Sequence, residues 1–331
     1  MLRDLQQSVE SQGLLYPPDP TERSCFLGGT IATNASGSRT FKYGPTRNYV
    51  ERLKISLATG DEVELRRGEF RADPSGRIKI PLPSGRAIEA RLPSYRMPQV
   101  RKHASGYYVA PGMDVLDLFI GSEGTLGVIL EAEVRLLRKP EGLLSGVVFF
   151  SSNEALLAFV ADARAASLKT RQHDESQVSE TRHGGLQGSE DGPSVDARAL
   201  EYFDKESLGF LRQKYDSIPA EAVGAVFFEQ ETTSGTEDFL LNEWLSLLER
   251  HHALADESWF ATTEQDQVKL REFRHQLPVL MNEWFARYNQ RKVSTDMAVP
   301  DEEFAGMLRF YEESLVTSNL KYTIFGHVGD N

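Results

Sequence analysis

Leu2, Leu5 and Val9 stand at helical spacing in an otherwise polar opening run, and Gly13 follows as a stop. Residues 2–12 are therefore predicted to form an amphipathic helix. Three prolines in LLYPPDP then force an extended, turning path. After a glycine-rich segment, LGGTIATNASGSRTFKYG, the pattern changes to alternation in VERLKISLATGDEVEL, which predicts a hairpin folded at Thr59-Gly60-Asp61. Residues 66–98 hold prolines, glycines and arginines with a weak alternating run at 85–92, which reads as a long excursion carrying one hairpin. DVLDLFIGSEGTLGVILEAEVRLLRKP predicts a short apolar helix or turn, a glycine loop, and a strand ending at Pro140.

From there a second domain is expected. GVVFF at 146–150 begins a strand, and NEALLAFVADARAAS places apolar residues at helical spacing. Residues 171–196 are polar and rich in glycine and serine, so a mobile insertion is expected there. ALEYFD and AVGAVFFEQE read as strands flanking a helix around 205–215, and EDFLLNEWLSLLERHH as a strongly amphipathic helix. TEQDQVKLREFRHQLPVLMNEWFARY is a further long helix, kinked at Pro278. MAVP closes a short strand, DEEFAGMLRFYEESLVTS is helical, and KYTIFGHVG is a strand running into a turn. Strand and helix alternating around an antiparallel sheet define an α+β class.

Composition narrows the function. A chain of 331 residues, 40% hydrophobic, can bury one large or two ordinary cores. Its net charge of −12 opposes the attraction a phosphate backbone requires, so nucleic acid is not an expected partner. The single Cys25 excludes an internal disulfide and a thiolate metal site, which fits a reducing compartment. No run approaches the length of a transmembrane span, and the start lacks the basic flank and apolar core of a signal peptide. A cytoplasmic protein, compatible with peripheral membrane association, is expected.

Two segments carry candidate chemistry. In GGTIATNASG, residues 28–37, Gly28, Gly29 and Gly37 let the backbone approach a bulky ligand, while Thr30, Thr33, Asn34 and Ser36 add short donors. A flat phosphorylated cofactor suits such a surface, and a tight structural loop is the competing reading, because neither dinucleotide fingerprint is present. In GSEGTLGVI, residues 121–129, three glycines around Glu123 form either a turn whose amides face a ligand or a purely structural turn. His103, His251 and His252 have no motif context and read as surface residues.

PPDP, GGTIATNASG, KYG, RKHASGYY and DLFIGSEGTLGVILEAEVRLL, in this order, resemble the FAD-binding domain of a flavoprotein family. That family includes D-lactate dehydrogenase, the glycolate oxidase flavin subunit and D-2-hydroxyglutarate dehydrogenase, on the fold shared with vanillyl-alcohol oxidase. LREFRH, KVSTDMAVP and FGHVGDN continue the resemblance into the family's C-terminal cap. It implies the second part of a PCMH-type FAD-binding domain at residues 1–140, followed by a ferredoxin-like α+β cap domain at 141–331. The family normally carries an upstream pyrophosphate-wrapping loop and, beyond the aspartate of FGHVGDN, further glutamate and histidine. By that pattern the chain is expected to be a fragment interrupted at both ends, binding FAD weakly or not at all by itself.

By position, the resemblance implies FAD contacts at Pro18, Gly28, Gly29, Ala32, Thr33, Asn34, Ser36, Gly37 and Gly44, then Glu123, Gly124, Gly127 and Ile129. Oxidation of a 2-hydroxy acid needs a cation for the carboxylate and a base for the hydroxyl proton, with flavin N5 as hydride acceptor. Arg274 matches the family's carboxylate-binding arginine, against the competing reading of an exposed helix arginine, with Arg271 one turn away as the fallback. Lys292 lies near the family's second substrate cation, for which Ser294 is the other match. His327 matches a histidine that binds a divalent metal, zinc or manganese, next to the substrate hydroxyl, in a site this chain leaves incomplete.

The expectation is an FAD-dependent dehydrogenase that converts a small D-2-hydroxy acid to the 2-oxo acid and passes electrons to a quinone, a cytochrome or an electron-transfer flavoprotein. A non-catalytic flavin-fold remnant or assembly subunit is the alternative. A nicotinamide-using reductase of related fold is a third reading, opposed by KVSTDMAVP and FGHVGDN.

Overall fold

The computed structural model describes the backbone of residues 1–181 and 193–330 and the side chains of 1–172 and 193–330. These residues divide into two compact units, Met1–Lys139 and Pro140–Asn331.

The first unit opens with α1 (Leu2–Glu10), which buries Leu2 and Val9, and Gly13 leaves the helix at φ +73°. β1 (Leu14–Leu15) follows, and the glycine-rich segment then coils into two short helices, α2 (Leu27–Ala32) and α3 (Thr40–Tyr43). β2 (Val50–Ser56) and β3 (Glu62–Arg66) make the hairpin read from the alternation. β4 (Arg77–Pro81) and β5 (Ala87–Arg91) form a second hairpin inside the 66–98 excursion. α4 (Leu116–Phe119) leads to β6 (Val128–Val134) and β7 (Leu137–Arg138). β3, β2 and β6 pair in that order as an antiparallel sheet, and β1 pairs with β7. One side of β3 is buried through Val63 and Leu65, which join Ile31, Leu53, Ile55, Leu116 and Phe119 in the core, while Glu62 and Glu64 face out.

The second unit is built on a five-stranded antiparallel sheet. Its strands are β8 (Gly142–Phe150), β9 (Ala197–Asp204), β10 (Gly224–Thr232), β11 (Trp259–Ala261) and β12 (Phe325–His327), in the order β11-β8-β10-β9-β12. Its helices are α5 (Asn153–Thr181), α6 (Lys205–Leu211), α7 (Glu237–Arg250), α8 (Glu264–Tyr288) and α9 (Phe304–Ser318). β8, β9 and β10 are buried on both faces, because α6 and α8 cover one side and α5 and α7 the other. On the α8 side, Val147, Ala199, Phe203 and Phe227 meet Leu270, Phe273 and Leu277. On the α7 side, Phe228 stacks on Trp244 with ring centroids 3.9 Å apart. Gly146 makes room for that ring, since a Cβ there would lie 2.3 Å from Phe228 Cε1.

Two expectations are corrected. The polar run at 171 does not end the helix: α5 continues to Thr181, because Arg, Gln and Glu are good helix formers however polar they are. The rest of the expected mobile insertion, residues 182–192, lies outside the described residues; at its far side Asp196 pairs with Arg171 at 2.6 Å. MAVP is not a strand, since β11 and β12 occupy the two sheet edges and residues 297–300 pair with neither.

Candidate active site

The two glycine-rich segments of the first unit meet. Gly121 N and Glu123 N donate to the carbonyls of Ile31 and Ala32 at 3.0 and 2.8 Å, and Thr125 N donates to Ser122 O at 3.0 Å. Asn34 and Glu123 both adopt left-handed φ angles, 48° and 52°. Asn34 Oδ1 accepts from Arg47 N at 2.9 Å. The amides at 121, 123 and 125, expected on one reading to face a ligand, are thus satisfied within the chain; Glu123 anchors the loop through its backbone N–H.

The expected cofactor glycines fall into two groups. A Cβ on Gly37 would lie 2.0 Å from Asp19 O, on Gly44 2.1 Å from Asn48 Nδ2, and on Gly127 2.6 Å from Ile55 Cγ2. At these three positions the missing side chain lets the protein pack on itself. A Cβ on Gly29 or Gly124 would meet nothing within 4 Å, and one on Gly28 would rest 3.7 Å from Ile129 O. Phe26, two residues before Gly28, and Val128, next to Ile129, are 71% and 63% exposed. Gly28, Gly29, Gly124 and Ile129 therefore belong to an open, partly apolar surface lined by backbone, and these residues fit the flat and ribityl parts of FAD. Ala32 and Ser36 are half-buried beside it, and exposed Thr33 donates its hydroxyl to Gly29 O at 3.0 Å. The Pro18 carbonyl accepts from Gln6 Nε2 at 3.1 Å. A cavity of about 310 Å³ is lined by Asn34, Gly44, Arg47, Asn48, His103 and Gly121.

In the second unit, Leu270, Arg274, Leu277 and Met281 recur at spacings of four, three and four along α8 and share its buried stripe. Thr263 caps this helix by accepting from Asp266 N at 3.3 Å. Arg274 is thereby carried onto the sheet, where its Nε donates to Glu201 Oε1 at 2.6 Å. His327 Nε2 lies 3.2 Å from the same oxygen. Arg274 and Glu201 are 9% and 7% exposed. Burial would raise the Glu201 carboxyl, but the Arg274 charge and the His327 contact outweigh it and hold it at about 2. The exposed-helix reading of Arg274 is corrected. Arg274 Nη1 also lies 3.0 Å from His275 Nε2. A second buried pair, Arg198 Nη2 and Glu229 Oε2 at 2.8 Å, sits in the same sheet.

Other expectations fare differently. Lys292 and Ser294 are exposed in a stretch without regular structure, and the described contacts do not bring them to Glu201. His252 is exposed, but His251 is not a surface histidine: its side chain is 12% exposed and its Nε2 lies 2.9 Å from Asp162 Oδ2, because α7 packs on α5 there. His103 is half-buried, which lowers its pKa. Among the described residues no three His, Cys, Asp or Glu side chains are grouped to hold a metal ion, so the described donors do not fit a zinc or manganese ion. Glu201 was missed at the level of sequence. Its signal is a charge two residues from Ala199 and Phe203, both inward-facing, on a strand buried on both faces.

Two family models match the chain. Residues 1–66 match the family described as FAD binding domain, and residues 139–331 the family described as FAD linked oxidases, C-terminal domain. The chain is 26% identical over 330 residues to the glycolate oxidase subunit GlcD of Bacillus subtilis (strain 168), covering 99% of this chain and 55% of the relative. It is 36% identical over 160 residues to a D-lactate dehydrogenase of Anaerostipes hadrus, covering 48% and 26%. It is 34% identical over 145 residues to a D-2-hydroxyglutarate dehydrogenase of Stutzerimonas stutzeri (strain A1501), covering 44% and 23%. The chain thus spans about half the length, or less, of these curated relatives. Among solved structures, an alkyldihydroxyacetonephosphate synthase is similar at a TM-score of 0.49 and 16% identity, over 82% of this chain and 40% of that one. With more than half of its residues matched to the C-terminal domain model, the chain belongs to the FAD-linked oxidase family.

Proposed function

We propose that this protein is part of an FAD-dependent oxidoreductase that oxidises a small D-2-hydroxy acid to the 2-oxo acid. The observation that carries the reading is the buried group of Arg274, Glu201 and His327. Guanidinium has five N–H donors, so Nε can serve Glu201 while terminal nitrogens serve a substrate carboxylate. His327, beside it, takes the hydroxyl proton at a ring nitrogen. FAD, when bound, supplies the two-electron acceptor for the hydride. Gly28, Gly29, Gly124 and Ile129 hold the cofactor by close backbone approach, and no step is assigned to a metal. The names of the relatives, which cover glycolate, D-lactate and D-2-hydroxyglutarate, support the 2-hydroxy-acid class.

Electrons leave to a quinone, a cytochrome or an electron-transfer flavoprotein. Among the described residues no helix is long and apolar enough to cross a membrane, and the single cysteine fits a reducing, cytoplasmic setting. The test is anaerobic bleaching of the flavin absorbance of the FAD-loaded protein by a panel of D- and L-2-hydroxy acids. Bleaching by a D-acid, lost in Arg274→Ala, is the expected result. A bound flavin that no 2-hydroxy acid reduces rejects the reading.

A further inference from the structure

Arg47 is held between the two glycine-rich segments of the first unit. It sits in a single turn, Thr46–Tyr49, whose start is tied to the first segment. Thr46 N and Oγ1 donate to Ala35 O at 3.2 and 2.8 Å, and Arg47 N donates to Asn34 Oδ1 at 2.9 Å. The Arg47 side chain reaches the second segment. Its Nη1 donates to Asp117 O and its Nη2 to Ile120 O, carbonyls of the kind that the C-terminal end of a helix such as α4 leaves without a helical partner. Asp117 Oδ1 lies 3.4 Å from Nη1, and the Tyr108 ring centroid lies 4.3 Å from Cζ. These contacts leave the side chain 13% exposed. Gly121 follows at φ +86°, where a Cβ would lie 3.3 Å from Asn34 Cβ and 3.5 Å from Arg47 Nη2.

We propose that Arg47 is a positioning residue for the FAD surface: its guanidinium fixes the end of α4, and with it the loop that leads to Gly124 and Ile129, against the Asn34 turn that follows Gly28 and Gly29. A guanidinium presents its donors in a planar fork, so two nitrogens of one side chain can meet two carbonyls three residues apart. The single ammonium of a lysine is a point charge and cannot hold both in that geometry. The backbone bonds from Gly121 N to Ile31 O and from Glu123 N to Ala32 O, at 3.0 and 2.8 Å, join the same two segments and are the ones Arg47 keeps closed. Arg47 acts through these segments, by setting the spacing between them. A flat cofactor laid across both then meets a surface already ordered, and pre-ordering a site raises its affinity. The cofactor role rests on the FAD reading above; the junction of Arg47 with Asn34, Asp117 and Ile120 does not.

The experiment compares the full chain with its Arg47→Ala and Arg47→Lys variants by amide hydrogen exchange and by FAD titration. In Arg47→Ala the Gly121 and Glu123 amides should exchange at least about tenfold faster, while the amides that pair β2 with β3, in the same unit, keep their wild-type rates. Methylguanidinium added to Arg47→Ala should slow the two loop amides again, methylammonium should not, and Arg47→Lys should stay fast. FAD affinity should fall roughly tenfold in both variants and return with methylguanidinium. Unchanged rates at Gly121 and Glu123 overturn the proposal. So does an acceleration shared equally by the β2–β3 amides, which would make Arg47 a residue of general stability. Where Arg47→Ala fails to fold, Arg47→Lys, which keeps the charge, decides between the same outcomes. Selective exchange in variants that bind FAD as tightly as the wild type also overturns the positioning role. If the selective exchange appears but FAD does not protect the Gly29 and Gly124 amides of the wild type, the junction stands and the FAD reading of these glycines falls.

Discussion

Glu201 and His327 are directly opposed across the β9–β12 pair, and their side chains meet with 3.2 Å between Oε1 and Nε2. Opposed residues on one face of an antiparallel pair are close enough to interact, so a three-residue edge strand suffices to fix this contact. Arg274 closes the group from α8, and the consequences for stability and chemistry can be separated.

Arg274→Ala leaves Glu201 buried without its nearest cation. Removing one partner of a buried pair costs about 3–5 kcal/mol. All three tryptophans, Trp244, Trp259 and Trp284, lie in the second unit, so urea unfolding followed by tryptophan fluorescence reads that unit. With FAD loaded, the same variant should lose about a hundredfold or more in kcat/KM for the hydroxy acid, and Arg274→Lys should recover only part, because a point charge cannot reproduce the planar fork.

Glu201 predicts acid sensitivity of defined sign. Its folded pKa, about 2, lies below the ordinary 4.5, so its contribution is fully present above pH 4.5 and is lost as pH falls toward 2. The depression amounts to about 3 kcal/mol. The stability difference between wild type and Glu201→Gln should shrink as pH falls from 5 to 3. A difference that stays flat over that range would show that the carboxylate is not held by these partners.

Asp204 predicts the opposite sign. It caps α6 by accepting from Ser207 N at 2.8 Å, and burial, only partly offset by these hydrogen bonds, raises its pKa from 3.8 to about 6. A raised carboxyl pKa gives stability that is complete below pH 3.8 and is lost as pH rises through 6. Asparagine caps as well without the charge. Asp204→Asn should therefore be more stable than wild type at pH 7, by as much as about 3 kcal/mol, with the gain vanishing below pH 4. The same fluorescence assay measures it.

What was legible in the sequence depended on whether one segment sufficed. The hairpin at Gly60 could be read because alternation and turn chemistry are local. Arg274 was also legible in principle, since Leu270, Leu277 and Met281 place it on the buried stripe of α8; the habit of assigning charge to the exposed face obscured it. Glu201 was not, because its meaning comes from His327 and Arg274, 126 and 73 residues away in the chain, joined only by sheet register and helix docking. Gly37 and Gly127 read as ligand glycines for a related reason: sequence shows that a side chain is absent, but not whether Asp19 at the first and Ile55 at the second, or a cofactor, lies against the backbone.

The glycines themselves supply the last test. Gly29→Ala places a methyl where nothing lies within 4 Å, in the helix α2, so the apo protein should gain about 0.5–1 kcal/mol from the lower backbone entropy of its unfolded chain. Gly37→Ala drives a methyl into the carbonyl of Asp19 and should cost about 1–3 kcal/mol. Thermal unfolding by circular dichroism separates the two. If the flavin lies against the backbone at Gly29, the stabilised Gly29→Ala protein should nevertheless bind FAD about tenfold more weakly, a loss of about 1.4 kcal/mol. A ligand contact and a packing contact thus give opposite signs in the apo protein. An alanine at 29 that leaves FAD affinity unchanged would remove this glycine from the cofactor surface.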